Sequence, residues 1–294
     1  MITADWFLLG APWDCSGSGR GEQAAPAALR AAGLAALVHR DLGDAACTID
    51  GLERDAHTGV LALPHALRAA HALAEALEHA LRDQTGLRPL VVGGDCSILL
   101  GIIPALRRSV GPVGLWFLDG HPDYSDGPGS ETGETADMEL AVLTDDGADP
   151  LVELAGSVPM VPASAVVMLG HRSSGLDAAS VRELARVPSA LQRIDAETIA
   201  TDPAAAGRAA SLLPEPDRRM WLHLDVDVLD GEALPAVSYP QPGGLDWAQL
   251  AAVMEPLARS RRLLGVSVAD FRPDLDPTGE HAAQIRDLLE HVLP

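Results

Sequence analysis

Residues Leu115 to Asp126 read LWFLDGHPDYSD. The apolar run Leu115-Trp116-Phe117-Leu118 stops at Asp119-Gly120-His121-Pro122-Asp123. A short apolar run bounded by turn residues predicts a buried parallel strand. Three side chains able to ligate a metal follow at alternating positions: Asp119, His121 and Asp123. Residues two apart on a strand end point the same way, so these three are expected to converge just past its carboxyl end. Open α/β sheets place their ligand sites there. A polar loop with helix-capping aspartates would read similarly, and this stretch alone does not separate the two.

Two further stretches break the tie. Leu90-Val91-Val92-Gly93-Gly94-Asp95-Cys96-Ser97 predicts a strand, then two glycines that let the backbone turn sharply and approach a ligand. A helix is expected from near Ser97, interrupted or ended by Pro104. Trp221 to Asp230, WLHLDVDVLD, predicts a strand with Asp225 and Asp227 at alternating positions. A strand covered by helices does not tolerate aligned carboxylates without compensation, and a bound cation is the natural one. Three strand ends then carry Cys96; Asp119, His121 and Asp123; and Asp225 and Asp227. Oxygen-rich donors with one nitrogen suit Mn²⁺, whereas thiolate and imidazole pull towards Zn²⁺ or Fe²⁺. The four carboxylates are too many for one ion and suit a bridged pair. Such a pair can hold a bridging hydroxide near neutral pH, a nucleophile for an electrophilic carbon.

Outward from these stretches, apolar strands alternate with helical segments. Strands are expected at 5–10, 90–92, 165–170, weakly near Leu191, at 221–230 and at 263–268. Helices are expected at 26–37, 64–85, 178–186, 203–213, 246–258 and 279–292. This alternation predicts the α/β class, a parallel sheet covered on both faces. Neither a linker nor a repeat interrupts it, so residues 1–294 read as one domain. Cys15 to Gly21, CSGSGRG, lacks the ending of a phosphate-binding loop and reads as a substrate-side loop.

Composition narrows the function classes. The 294 residues are 47% hydrophobic, ample for a core, and the net charge of −21 argues against nucleic acid and anionic membrane partners. It suits a cationic substrate or a metal. The opening MITADWFLLGAPWD reads as a first strand rather than a signal peptide, since it lacks a basic leader. Three widely spaced cysteines, Cys15, Cys47 and Cys96, form no disulfide framework and point to a reducing, cytoplasmic setting.

GGDCS at 93–97, DGHPD at 119–123 and LDVDVLD at 224–230 resemble the arginase/agmatinase family of ureohydrolases. Ala25-Pro26-Ala27-Ala28-Leu29-Arg30 and Pro242-Gly243-Gly244 extend the likeness over nearly the whole chain. The resemblance implies a three-layer α/β/α fold with a parallel, roughly eight-stranded sheet, two Mn²⁺ ions and hydrolysis of a guanidino group. It implies Cys96, Asp119, Asp123 and Asp225 around one ion, and His121, Asp119, Asp225 and Asp227 around the other, with Asp119 and Asp225 bridging. Fe²⁺ or Zn²⁺ at the Cys96 site stays open. Asp123 would orient the nucleophile, and Asp270 would grip the guanidino group. Asp177 is the acidic residue in place to meet an amino-acid head group.

Three departures from the family pattern matter. Cys96 stands where the family usually has histidine. Ala136 takes the place of its proton-shuttling histidine, with Glu131, Glu134, Asp137 and Glu139 as potential substitutes. Asp270 replaces a glutamate. The first two resemble a branch that hydrolyses Nω-hydroxy-L-arginine to hydroxyurea and L-ornithine. Ordinary arginase or agmatinase activity is the alternative within the class, and a non-catalytic protein of the same fold is the alternative outside it. Oligomeric state stays open between homo-oligomer and monomer.

Overall fold

The computed structural model describes residues 5–294, so the first four residues of the expected N-terminal segment lie outside the described part. Among the described residues, one sheet gathers eight strands: β1 (Trp6–Ala11), β2 (Arg40–Asp44), β3 (Arg88–Gly93), β4 (Gly114–Leu118), β5 (Val166–Leu169), β6 (Gln192–Ile194), β7 (Met220–Asp225) and β8 (Leu263–Ala269). Their order is β2-β1-β3-β8-β7-β4-β5-β6, and every pairing is parallel. Helices cover both faces, completing the expected α/β/α layering.

The inner strands are apolar on both sides because both faces are buried. Alternation then divides one strand between two cores. In β4, Leu115 and Phe117 join one core, while Trp116 joins the other with Leu118. In β7, Trp221 faces the first core, while Met220, Leu222 and Leu224 face the second. The helix Leu63–Asp83 packs on the first side through Leu73 and Leu77, and Trp247–Ala258 packs on the second through Leu250 and Leu257. Among the described residues, no helix is long and apolar enough to cross a membrane.

Several expectations shift. The edge strand β2 is absent from the sequence reading because RDLGD is largely exposed and lacks apolar alternation; Arg30 pairs with its Asp41 at 2.8 Å. The helix expected at 26–37 is Ala25–Ala31 followed by a 3-10 turn at Leu34–Leu37, because Gly33 at φ 100° turns the chain between them. Pro104 does not stop its helix, which runs Leu99–Val110 with the proline buried inside. That proline forfeits one backbone bond, and packing on the sheet overrides the loss. β7 ends at Asp225, earlier than expected: the Asp225 carboxylate accepts the Asp227 N–H at 2.7 Å and turns the chain into a 3-10 turn.

Chain crossing fixes the backbone after β3. A Cβ on Gly94 would lie 1.5 Å from the Trp13 carbonyl oxygen. Gly94 N–H donates to Ala11 O at 2.9 Å, and its carbonyl accepts Asp270 N–H at 2.7 Å. A Gly94→Ala substitution should therefore destabilise the protein by about 3 kcal/mol, near the upper end for overpacking. A denaturant melt checks this; an unchanged midpoint would mean that the β1 and β3 ends can separate.

Candidate metal centre

The centre forms at the carboxyl ends of four neighbouring strands, β3, β8, β7 and β4. One local device recurs at three of them. The carboxylate of Asp95 accepts the N–H of Ser97 at 3.1 Å, that of Asp119 accepts the N–H of His121 at 2.6 Å, and that of Asp225 accepts the N–H of Asp227. Aspartate bonding the backbone two residues on makes a tight turn. Each turn commits one oxygen to the backbone and aims the intervening or following residues across the strand ends.

Asp95 also accepts from Trp13 Nε1 at 3.1 Å, from Cys15 N at 2.6 Å and from the Ser97 hydroxyl. These contacts hold the turn that presents Cys96. Its Sγ donates to Asp225 Oδ2 at 2.8 Å. His121 Nδ1 meets Asp227 Oδ2 at 2.8 Å, and Gly120 N–H donates to Asp227 Oδ1 at 3.1 Å. Asp123 and Asp270 hold left-handed backbones, φ 45° and 68°. Non-glycine residues in that region concentrate at functional sites, and aspartate tolerates it better than most.

Donor atoms gather in overlapping groups within 4.8 Å: Cys96, Asp119, Asp123 and Glu139; Asp119, His121 and Asp227; Asp225, Asp227 and Asp270; and Cys96, Asp119 and His223. All six sequence-derived ligand candidates are thus brought together. Two details differ from the implied partition. Asp225 reaches the first group through Cys96 rather than as a grouped donor, and Glu139 stands in its place. Asp119 belongs to groups on both sides, and Asp225 is grouped with Asp227 and Asp270 while bonding Cys96.

The chemistry of this donor set fits divalent cations. Asp119 Oδ2, Asp123 Oδ2 and both Glu139 oxygens are buried, and no N–H or hydroxyl group donates to them; these acids have only one another. Burial, then Asp227, raises Asp119 to about 7. Burial, followed by neighbouring carboxylates, pushes Asp123, Asp225, Asp270 and Glu139 well above their usual range. Burial and then Asp225 likewise hold Cys96 as a thiol. Burial alone would lower His121, but the Asp227 carboxylate outweighs it and holds the imidazole at about 9. Without a cation, protons occupy the places that metal charge would fill.

A cavity of about 480 Å³ opens over the centre, with Asp119, His121, Asp123, Asp225, Asp227 and Asp270 at its floor. Arg20, from the loop expected on the substrate side, lines its wall, paired with Glu134 at 3.0 Å. Asp177 is not brought there. It caps the helix Ala178–Arg186, accepting Ser180 N–H at 2.8 Å in an exposed position. Arg182 and Glu183 from that helix line the cavity instead. Helical spacing is the signal that finds them: Ala179, Glu183 and Arg186 recur on one face.

Other residues fall as follows. Ala136 lines the cavity, as its alignment with a proton carrier suggests. Of its potential substitutes, Glu134 is paired with Arg20, and Asp137 accepts from Ser130 Oγ at 2.5 Å and Thr132 Oγ1 at 2.9 Å. Glu131 is exposed, and Glu139 is wholly buried beside Asp123. His223 bonds Ser267 Oγ at 2.7 Å through Nδ1 and stacks on Phe117; its ring lies within reach of Cys96 and Asp119, and its Nε2 has no hydrogen-bond partner. Burial holds it neutral, with a pKa of about 3. Arg172 donates to the backbone carbonyls of Asp227 and Leu229.

The comparisons with known proteins agree with this architecture. The family model described as "Arginase family" matches residues 4–293. An arginase from Bacillus caldovelox is 28% identical, with 94% of this chain and 93% of the relative covered. An N(omega)-hydroxy-L-arginine amidinohydrolase from Streptomyces lavendulae is 29% identical over 80% of this chain and 78% of its own. The crystal structure of an arginase from Bacillus cereus superimposes with a TM-score of 0.83 at 25% identity, covering 97% of this chain and 96% of that one.

A pH dependence follows from the geometry. Carboxyls raised on folding bind more protons in the folded than in the unfolded chain, so their contribution to stability falls as pH rises from about 4 through the folded pKa. His121, raised to about 9, stabilises fully below its unfolded value, and that contribution is lost as pH rises through 9. Metal-stripped protein should therefore melt progressively lower between about pH 7 and pH 9, above the range in which the buried neutral His171 and His223 add stability as pH rises. Mn²⁺ should reverse the trend above about pH 7, because its ligands must be deprotonated. A metal-free melting temperature that rises over this range would contradict the packed-carboxyl arrangement.

Proposed function

The chain belongs to the arginase family, whose members are hydrolases of guanidino or amidino compounds, and from that premise we propose that its substrate is Nω-hydroxy-L-arginine, cleaved to hydroxyurea and L-ornithine. The observation that carries this reading is the pairing of Cys96, set among carboxylates, with Ala136 on the cavity wall. Among the described residues, His121 is the sole imidazole lining the cavity. No histidine thus stands ready to carry a proton for a strongly basic guanidinium. Hydroxylation lowers the basicity of the guanidino group, so a less charged substrate has a central carbon that is easier to attack. A relative at 29% identity is a hydroxyarginine amidinohydrolase, while arginases match equally well, so the choice rests on Cys96 and Ala136.

Cys96, Asp119, Asp123 and Asp225 would hold one ion and His121, Asp119, Asp225 and Asp227 the other, with manganese as the family's usual metal. Bound there, the ions supply Lewis acidity and make water nucleophilic near neutral pH. The protein's own groups do the rest. Asp123, with its unpartnered Oδ2, orients the attacking water. Asp270 closes the far side of the floor, where its carboxylate pairs with the guanidino N–H groups. Glu183 and Arg182 line the cavity, positioned for the ammonium and carboxylate of an amino-acid head. Three free, buried cysteines suit a reducing cytoplasmic setting.

The test is release of urea or hydroxyurea by metal-analysed protein given L-arginine, Nω-hydroxy-L-arginine and agmatine. Selective cleavage of the hydroxylated substrate is expected. Preferred cleavage of arginine or agmatine would place the chain with the ordinary urea-forming enzymes, and absence of metal and turnover would make it a non-catalytic member. Ala136→His should raise turnover of L-arginine relative to the hydroxylated compound, approaching the roughly 10²-fold lower range of a placed acid–base group. Asp270→Asn should lower kcat/KM by about 10²–10³-fold, as expected for one lost member of a buried charge pair, with metal content retained. Unchanged kcat/KM would remove Asp270 from the substrate site.

A further inference from the structure

Glu139 has no role in the ligand sets assigned above, yet it is the residue of this centre least satisfied by the protein. It opens the short helix Glu139–Leu143 and is 0% exposed. No N–H or hydroxyl group donates to either of its carboxylate oxygens. Its neighbours are acids: Asp123, with which it shares a carboxyl–carboxyl hydrogen bond, and Asp119. A buried carboxyl whose only partner is another acid, with no counter-charge, is costly, and packing alone would favour an apolar residue of similar size.

We propose that Glu139 is a metal ligand, completing with Cys96, Asp119 and Asp123 the coordination of the ion on the thiol side. The inference rests on the binuclear reading above and adds a donor to it. An ion about 2.0–2.3 Å from its oxygen and sulfur donors spans donors up to about 4.6 Å apart. The donor atoms of these four residues all lie within 4.8 Å of one another, close to that limit, so small side-chain adjustments on binding would let one ion serve all four. Glu139 is absent from the cavity wall, while its chain neighbours Ala136 and Asp137 line it. It faces the floor from behind rather than the substrate from the side, which favours ligation over proton delivery. Replacing a neutral imidazole by a thiolate and adding a carboxylate makes this half of the centre strongly anionic. Such a donor set holds a divalent ion tightly and selects against a site left empty.

The experiment compares metal-stripped wild type with Glu139→Gln and Glu139→Leu. Mn²⁺ binding is measured calorimetrically, Co²⁺ binding by the thiolate charge-transfer band of Cys96, and melting temperature with and without metal. Wild type is expected to take about two ions. The variants should keep one and bind the other at least about 10-fold more weakly, the lower range for loss of even an outer-sphere partner. Their Co²⁺ spectra should change. Without metal they should melt higher than wild type, since a buried carboxyl crowded among carboxyls is gone, and gain less on metal addition. A purely packing role predicts lower metal-free melting. Equal affinity for both ions, an unchanged Co²⁺ spectrum, or variants that melt lower or fail to fold without metal would overturn the assignment of Glu139 alone. Wild type that binds no metal would overturn this assignment together with the binuclear reading beneath it.

Discussion

Six carboxyls packed at one end of a sheet are the constraint on which the rest of the structure depends. Asp119, Asp123, Glu139, Asp225, Asp227 and Asp270 cannot all ionise in a low-dielectric site without positive charge among them. Arg172, whose charge favours ionised Asp227, spends its N–H groups on backbone carbonyls, and Arg20, whose charge favours ionised Asp270, is paired with Glu134. With His121 these offset only part of the negative charge, and the remaining deficit is left to protons or metal. Stability, protonation and metal affinity are consequently three views of one charge balance.

The parallel sheet makes this concentration of charge reachable. All strands run the same way, so β3, β4, β7 and β8 end on one edge, and their polar residues meet there while their apolar lengths remain in the two cores. Aspartate turns end three of these strands; Asp119 and Asp225 commit one oxygen to the backbone and leave the other directed into the centre, while both oxygens of Asp95 hold the turn that presents Cys96. The same residue thus ends the strand and serves the site. Close backbone crossings, such as Gly94 under the Trp13 carbonyl, give the arrangement its rigidity.

Cys96, Ala136 and Glu139 change the chemistry without changing this frame. A thiol in place of a histidine needs metal to ionise it, because burial and Asp225 hold its proton otherwise. His223 stands behind it, bonded through Nδ1 to Ser267, which in turn accepts from Trp221 Nε1 at 2.8 Å. With Trp221 an obligate donor, the serine proton is free to go to Nδ1, which would leave an N–H at Nε2 on a ring within reach of the thiol and Asp119. A thiolate at Cys96 would then have a donor beside it.

The sequence by itself determined the sheet, the strand ends that matter and the six residues expected as ligands. Apolar runs and aspartate–glycine punctuation are local signals, and both are written within a few residues. It did not reveal β2, whose polar sequence becomes a strand only because β1 offers it a free edge. Nor did it place Asp177 or Glu183, since a difference of six positions on a helix decides which side chain meets the cavity. Glu139 was legible only as one acidic residue among four in a polar segment; its lack of any N–H or hydroxyl partner and its closeness to Cys96, Asp119 and Asp123 arise from the return of that segment across the strand ends. Only tertiary structure could decide these points, because burial and partnership depend on which distant segments the chain brings together.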